Sequence, residues 1–221
     1  MAGQRICLLT LDFVGPIRNG GMGTAFLALA EALVAAGHEV TVLYPSAYTE
    51  NEPVTRWRTH YAARGINLVS LFLEGSEAEL SLGAYHWLKT QRFEVIHFHE
   101  MRGIGYWTTV GKRCGLAFAG TTLVCHIHSP TLWHFGHSAQ FLTHSGELET
   151  DFMERRSVEG ADCVTAPSRY ILEVVTEMGW KLPARHRVLP NLLPASFQVG
   201  AATPAQAMPV KGLVFFGRLE E

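Results

Sequence analysis

Arg18-Asn19-Gly20-Gly21-Met22-Gly23-Thr24 joins two apolar runs. Ahead of it lies Arg5-Ile6-Cys7-Leu8-Leu9-Thr10-Leu11, of strand length; behind it Ala25 to Ala36 carries a single charge, Glu31. The order is strand, glycine-rich turn, helix. So apolar a helix is expected to be covered by protein on nearly every face. Gly37 stands at the C-terminal glycine position, and Val40-Thr41-Val42-Leu43-Tyr44 follows as a second strand. This is a βαβ unit, which implies a parallel sheet.

The turn points to an anion. Glycines let the backbone approach a ligand, and the N–H groups at a helix start carry about half a positive charge. A diphosphate suits such a turn; a tight strand-to-helix connection without ligand is the plainer reading. Two named phosphate motifs fail. No Lys follows these glycines, which excludes the P-loop. Phe26 holds the third glycine position of the dinucleotide fingerprint, and no acid follows Tyr44-Pro45-Ser46, which argues against an NAD enzyme.

The 221 residues suffice for one large domain or slightly more. Hydrophobic content of 48% against 17% charged fits a well-buried core rather than a disordered chain. A net charge of −2 argues against nucleic-acid binding. No run approaches the roughly eighteen apolar residues needed to cross a bilayer, and the N-terminus lacks a signal peptide's long apolar stretch. The four cysteines, at 7, 114, 125 and 163, have no C-x-x-C spacing, which points to a reducing, cytoplasmic compartment.

Strands and helices alternate along the whole chain. Helices are expected over Asn51–Arg64, Glu77–Arg92, Ile104–Cys114, Glu147–Glu159 and Tyr170–Met178. Strands are expected over Ile66–Leu71, Phe93–His99, Thr121–His128, Asp162–Ala166 and Val188–Pro190, with Thr131–Gly146 a long loop holding a helical piece. The expected class is α/β, a Rossmann-like doubly wound, mostly parallel sheet with helices on both faces. From Leu193 to Pro209 the composition turns linker-like, and Leu213 to Phe216 reads as a new strand. The expected domains are therefore 1–192 and a linker with the truncated start of a second domain, 193–221.

In a doubly wound sheet, ligands sit at the carboxyl ends of the strands. Those ends offer Asp12 with the glycine turn, His99 with Glu100, and His128 with Ser129. Seven of the eleven histidines fall between positions 97 and 144. His97/His99 and His126/His128 each put two imidazoles on one strand face, so a metal site is an alternative; buried, hydrogen-bonded histidines are the plainer one. His128 is placed to act as an acid, a base or a hydrogen-bond donor, or only to pack.

Five stretches, in order, resemble one family: Gly20-Gly21-Met22 with Ala30-Glu31-Ala32-Leu33 and Gly37 to Val42; Val124-Cys125-His126-Ile127-His128; Ala161 to Ser168; Val188-Leu189-Pro190-Asn191; and Val214-Phe215-Phe216-Gly217-Arg218-Leu219. The chain resembles the N-terminal half of a GT-B glycosyltransferase, most closely retaining glycosyltransferase family 4. The resemblance implies transfer of a sugar, with retention, from a nucleotide diphosphate sugar to a hydroxyl of a sugar, lipid or small-molecule acceptor. It implies no metal and no cofactor, the nucleotide sugar being a substrate. It casts His128 as the active-site histidine, Gly20 and Gly21 as the phosphate-approaching turn, and Arg218 as the cation on the donor's diphosphate. Asp12, Asn19, His99 and Glu100 would line the acceptor side, and peripheral membrane contact is compatible with it. The chain departs from the family at Gly23-Thr24 and at Leu192-Leu193-Pro194. A lysine soon after Arg218 and a later pair of spaced glutamates would lie beyond Glu221, so the chain alone is expected to be inactive. A non-catalytic nucleotide- or polysaccharide-binding module and a histidine-rich metallohydrolase remain the other readings.

Overall fold

Among the described residues seven runs form strands, most of them apolar, of strand length and bounded by a turn or helix signal. The computed structural model describes residues 3–15, 20–46 and 54–194. The strands are β1 (Arg5–Leu9), β2 (Glu39–Ser46), β3 (Ile66–Leu73), β4 (Val95–His99), β5 (Thr122–His126), β6 (Cys163–Ala166) and β7 (His186–Val188). The helices are α1 (Gly21–Ala35), α2 (Val54–Ala62), α3 (Glu77–Leu88), α4 (Tyr106–Arg113), α5 (Thr131–His137), α6 (Ser145–Gly160) and α7 (Arg169–Glu177), with a 3-10 turn at Met101–Gly103.

The sheet order is β3-β2-β1-β4-β5-β6-β7. Every pairing is parallel, so the expected mostly parallel sheet is wholly so. The chain winds outward from β1 in both directions, which puts a crevice at the carboxyl ends of β1 and β4. Side chains alternate between two cores. Cys7 and Leu9 join Ile96, Phe98, Leu123 and Cys125 under α3, α6 and α7. Ile6 and Leu8 join Val40, Val42, Ile66 and Leu68 under α1 and α2.

Helix α1 ends as its sequence requires. Gly37 adopts φ +85°, and His38 N–H reaches back to the Leu33 carbonyl at 3.1 Å. Its burial is less complete than expected. Phe26, Leu27, Ala28 and Ala30 are buried, whereas Ala32, Ala35 and Ala36 are exposed. Alanine makes this tolerable, since it exposes little apolar surface. The expected long loop after β5 contains the seven-residue α5, and β7 lies two residues earlier than expected. Pro190 lacks the N–H that would extend pairing, and the last ladder bond is Leu189 N–H to the Ala166 carbonyl at 2.8 Å.

No helix among the described residues is long and apolar enough to cross a membrane. Asn19, Arg218, the strand expected at Leu213–Phe216, the start of the helix expected from Asn51, and all but the first two residues of the linker stretch lie outside the described residues.

Candidate active site

The carboxyl ends of β1, β4 and β5 meet through three polar links. The first joins β4 to the turn after β1. His99 Nε2 accepts the Leu11 N–H at 3.0 Å and lies 3.1 Å from the Thr10 hydroxyl. Thr10 in turn donates to the Asp12 carbonyl at 2.7 Å. His99 has no exposed surface, and burial together with His128 and His97 holds its pKa well below the usual imidazole value. Its role in this fold is to fix the turn that carries Asp12.

The second link satisfies the start of α1. Asp12 Oδ2 accepts the N–H groups of Gly20 at 3.0 Å and Gly23 at 2.9 Å. The anion that the helix terminus attracts is thus first of all the chain's own carboxylate. Beside it, Gly21 faces open space, where an added Cβ would meet nothing within 4 Å.

The third link holds the loop after β5. Glu100 accepts the N–H of His128 on both oxygens at 2.9 Å and that of Ser129 at 2.7 Å. Glu154, from α6, accepts Arg102 N–H at 2.9 Å, Thr131 N–H at 2.7 Å and the Thr131 hydroxyl at 2.8 Å. Both carboxylates are wholly buried. Burial pushes Glu100 up to about 7; burial and the nearby Glu100 charge push Glu154 up to about 8. Arg102, at φ +55°, directs its guanidinium to Glu77 instead, at 3.0 Å.

Three imidazoles then gather on the α1 side of the sheet. His126 and His128 lie 4.6 Å apart between ring centroids, and His97 and His126 6.2 Å apart. His126 is fully engaged: Nδ1 pairs with the Thr165 hydroxyl at 2.6 Å and Nε2 with Asn191 Oδ1 at 3.2 Å. Burial lowers His97 and His128 to about 3 and His126 to about 4, so all three are neutral near pH 7. Their Nε2 atoms differ in fate. Those of His97 and His128 are buried without a partner. Among the described residues, no group of three or more His, Cys, Asp or Glu is placed to hold a metal ion.

The chain matches the Glycosyl transferase 4-like domain over residues 20–192. It belongs to that family. Two solved structures share the fold. Sucrose-phosphate synthase from Thermosynechococcus elongatus aligns with a TM-score of 0.61 at 17% identity, covering 85% of this chain and 48% of the synthase. The catalytic domain of starch synthase IV from Arabidopsis thaliana, bound to ADP and acarbose, aligns with a TM-score of 0.51 at 12% identity, covering 88% of this chain and 53% of that one. Both are GT-B glycosyltransferases, and the chain spans about half their length. No curated protein sequence matches it.

As a glycosyl transferase 4-like domain, the chain brings Asp12, Gly20, Gly21, His99, Glu100 and His128 to one end of one sheet. His99 and Glu100, expected along the acceptor side, are 0% exposed, and His99 Nε2 and the Glu100 carboxylate accept backbone N–H groups of neighbouring loops. Gly20 is engaged by Asp12. His128 keeps an unspent nitrogen. Sequence reasoning missed Glu154, hidden in a helix that reads as a charged, solvated face. It also left His97/His99 and His126/His128 as a metal alternative.

Proposed function

We propose that this chain is the acceptor-side half of a retaining glycosyltransferase of the family 4 type. It would help move a sugar from a nucleotide diphosphate sugar to an acceptor hydroxyl, in the cytoplasm, without a metal or organic cofactor. One observation carries the reading: in a glycosyl transferase 4-like chain, the Nε2 of His128 is unpartnered at the open end of β5, beside the start of α1. A neutral imidazole there can donate or accept a hydrogen bond with the transferred sugar as charge develops. Gly21 would let a phosphate approach the helix start next to Asp12 rather than in its place. Arg218 would neutralise the departing diphosphate. Because the chain spans about half of the matched structures, catalysis is assigned to it together with a donor-binding half. A non-catalytic sugar- or nucleotide-binding role is the second reading, favoured by that same half-length.

The test is release of nucleoside diphosphate from a panel of nucleotide diphosphate sugars by the polypeptide of the complete reading frame. That frame should supply a lysine soon after Arg218 and, later, the spaced glutamates. His128→Ala should lower kcat by about 10² to 10³ with the melting temperature kept. Turnover unchanged by His128→Ala would sink the assignment.

A further inference from the structure

Glu100 and Glu154 are buried, and between them they tie the loop after β4 to the loop after β5. The charge of Glu100 acts on Glu154, and both act on the Cys125 thiol. Two such charges repel strongly out of water unless a cation stands by. Among the described residues neither carboxylate has an ion-pair partner. The cations of the surrounding elements are engaged elsewhere: Arg102 with Glu77, Arg155 with Glu159, Lys112 with Asp162 and Arg113 with the Glu159 carbonyl. On α6, Asp151 lies one turn before Glu154 and faces Arg155. His134 and His137 of α5 are exposed. At the strand ends, burial keeps the rings of His97, His99, His126 and His128 neutral near pH 7, and burial with the two carboxylates keeps the Cys125 thiol protonated.

The partners decide where a proton can sit. Those of Glu100 are the N–H groups of His128 and Ser129, and its own N–H and that of Met101 also favour its charge. An N–H group cannot accept, so an acid hydrogen on Glu100 would find no acceptor among them. Glu154 has one partner of another kind, the Thr131 hydroxyl, 2.8 Å from Oε1. A hydroxyl donates to a carboxylate but accepts from an acid. Thr131 is half-buried, so its own hydrogen can turn outward. Oε1 keeps a lone pair for the Arg102 N–H at 2.9 Å, and Oε2 still accepts the Thr131 N–H at 2.7 Å. We propose that Glu154 is carried as the neutral acid, donating its proton to the Thr131 hydroxyl, and that this lets Glu100 remain the carboxylate that positions His128. The two folded pKa values fall in the same order, about 8 for Glu154 and about 7 for Glu100. When the proton leaves, the 2.8 Å bond reverses and the site holds two charges. The loop from His128 to Thr131, where both carboxylates attach, is then the part that gives. Glu154 and Thr131 are thus positioning residues that act through the seat of His128. The positioning role rests on the sugar-transfer reading; the place of the proton does not.

Infrared spectra of the polypeptide of the complete reading frame, taken at about pH 7.5, test the place of the proton. A protonated-carboxyl band should be present in the wild type and titrate away near pH 8. It should vanish in Glu154→Gln and persist in Glu100→Gln with a lower midpoint, because the neighbouring charge is gone. Thr131→Val, which removes the acceptor, should shift the band, and Thr131→Ser should leave it in place. The absence of the band from the wild type, its survival in Glu154→Gln, or a band unmoved by Thr131→Val overturns the proposal. Nucleoside diphosphate release then reads the positioning role. Wild-type kcat should fall about fivefold from about pH 7.5 to about pH 9 at nearly constant KM, and Glu154→Gln should show no such fall. An equal fall in Glu154→Gln removes the positioning role. If nothing turns over while the band behaves as stated, the transfer reading fails and the proton keeps its place. If turnover is present and the band is missing, the proton assignment fails alone.

Discussion

At the scale of the residue, two glycines near the site separate folding from binding. Gly103 adopts φ +59°, and an added Cβ would lie 2.2 Å from Met153 Cβ and 3.0 Å from the Met153 carbonyl carbon. These atoms belong to the body of α6 and cannot swing away. Left-handed strain and overpacking add, so Gly103→Ala should cost about 3 kcal/mol, read from the denaturant midpoint. Gly21 is the opposite case, with nothing near its missing side chain. As the first residue of α1 it should accept alanine with stability unchanged or raised by up to about 1 kcal/mol. Under the proposed function, Gly21→Ala should nevertheless raise KM for the nucleotide sugar. A stable variant with unaltered KM would remove Gly21 from the phosphate site.

At the scale of the element, α1 depends on a cap that its own sequence lacks. Its N-cap residue is Gly20, which offers no side chain, and Asp12 supplies the carboxylate from the β1 turn. Asp12→Ala should destabilise the fold by about 1–2 kcal/mol, seen as a lower denaturant midpoint at constant slope. This partnership also marks how far the sequence could be read. The alternating elements were legible because Val, Ile and Leu runs of strand length punctuate it, and Gly37 announces the end of α1. The gathering of Asp12, His99, Glu100 and His128 followed from strand ends alone. Their division of labour did not. His99 is spent on Leu11, 88 residues away, and Glu100 on a loop 28 and 29 residues away. No local pattern encodes such pairings. Glu154 was hidden for the same reason: within Glu147–Glu159 it looks like one more solvated charge, and only the turn at Arg102 and the loop at Thr131 bury it. α5 could be expected only as a helical piece within a long loop, because its seven residues are too few to show a period.

At the scale of the whole molecule, buried titratable groups pull stability in opposite directions. Glu100 and Glu154 have folded pKa values near 7 and 8 against 4.5. Their protonated forms favour the fold, so this contribution is complete below about pH 4.5 and lost as pH rises through 7 to 8. His97, His126 and His128 fall to about 3, 4 and 3 from 6.5. Their contribution is present above pH 6.5 and lost as pH falls toward 3 to 4. Stability should therefore peak near pH 6.5, decline toward pH 8 and collapse below pH 4.5. Melting temperatures across that range check it, and Glu154→Gln should flatten the alkaline limb while leaving the acid limb in place. The sheet order carries a consequence for synthesis. β1 lies inside the sheet yet is made before both its neighbours, and its pairing of Ile6 with Val95 waits until β4 has been translated. Until then one whole edge of β1 is open to any passing chain. Parallel pairing over such a span is slow. A nascent chain stalled after β3 should therefore be the form most in need of chaperones.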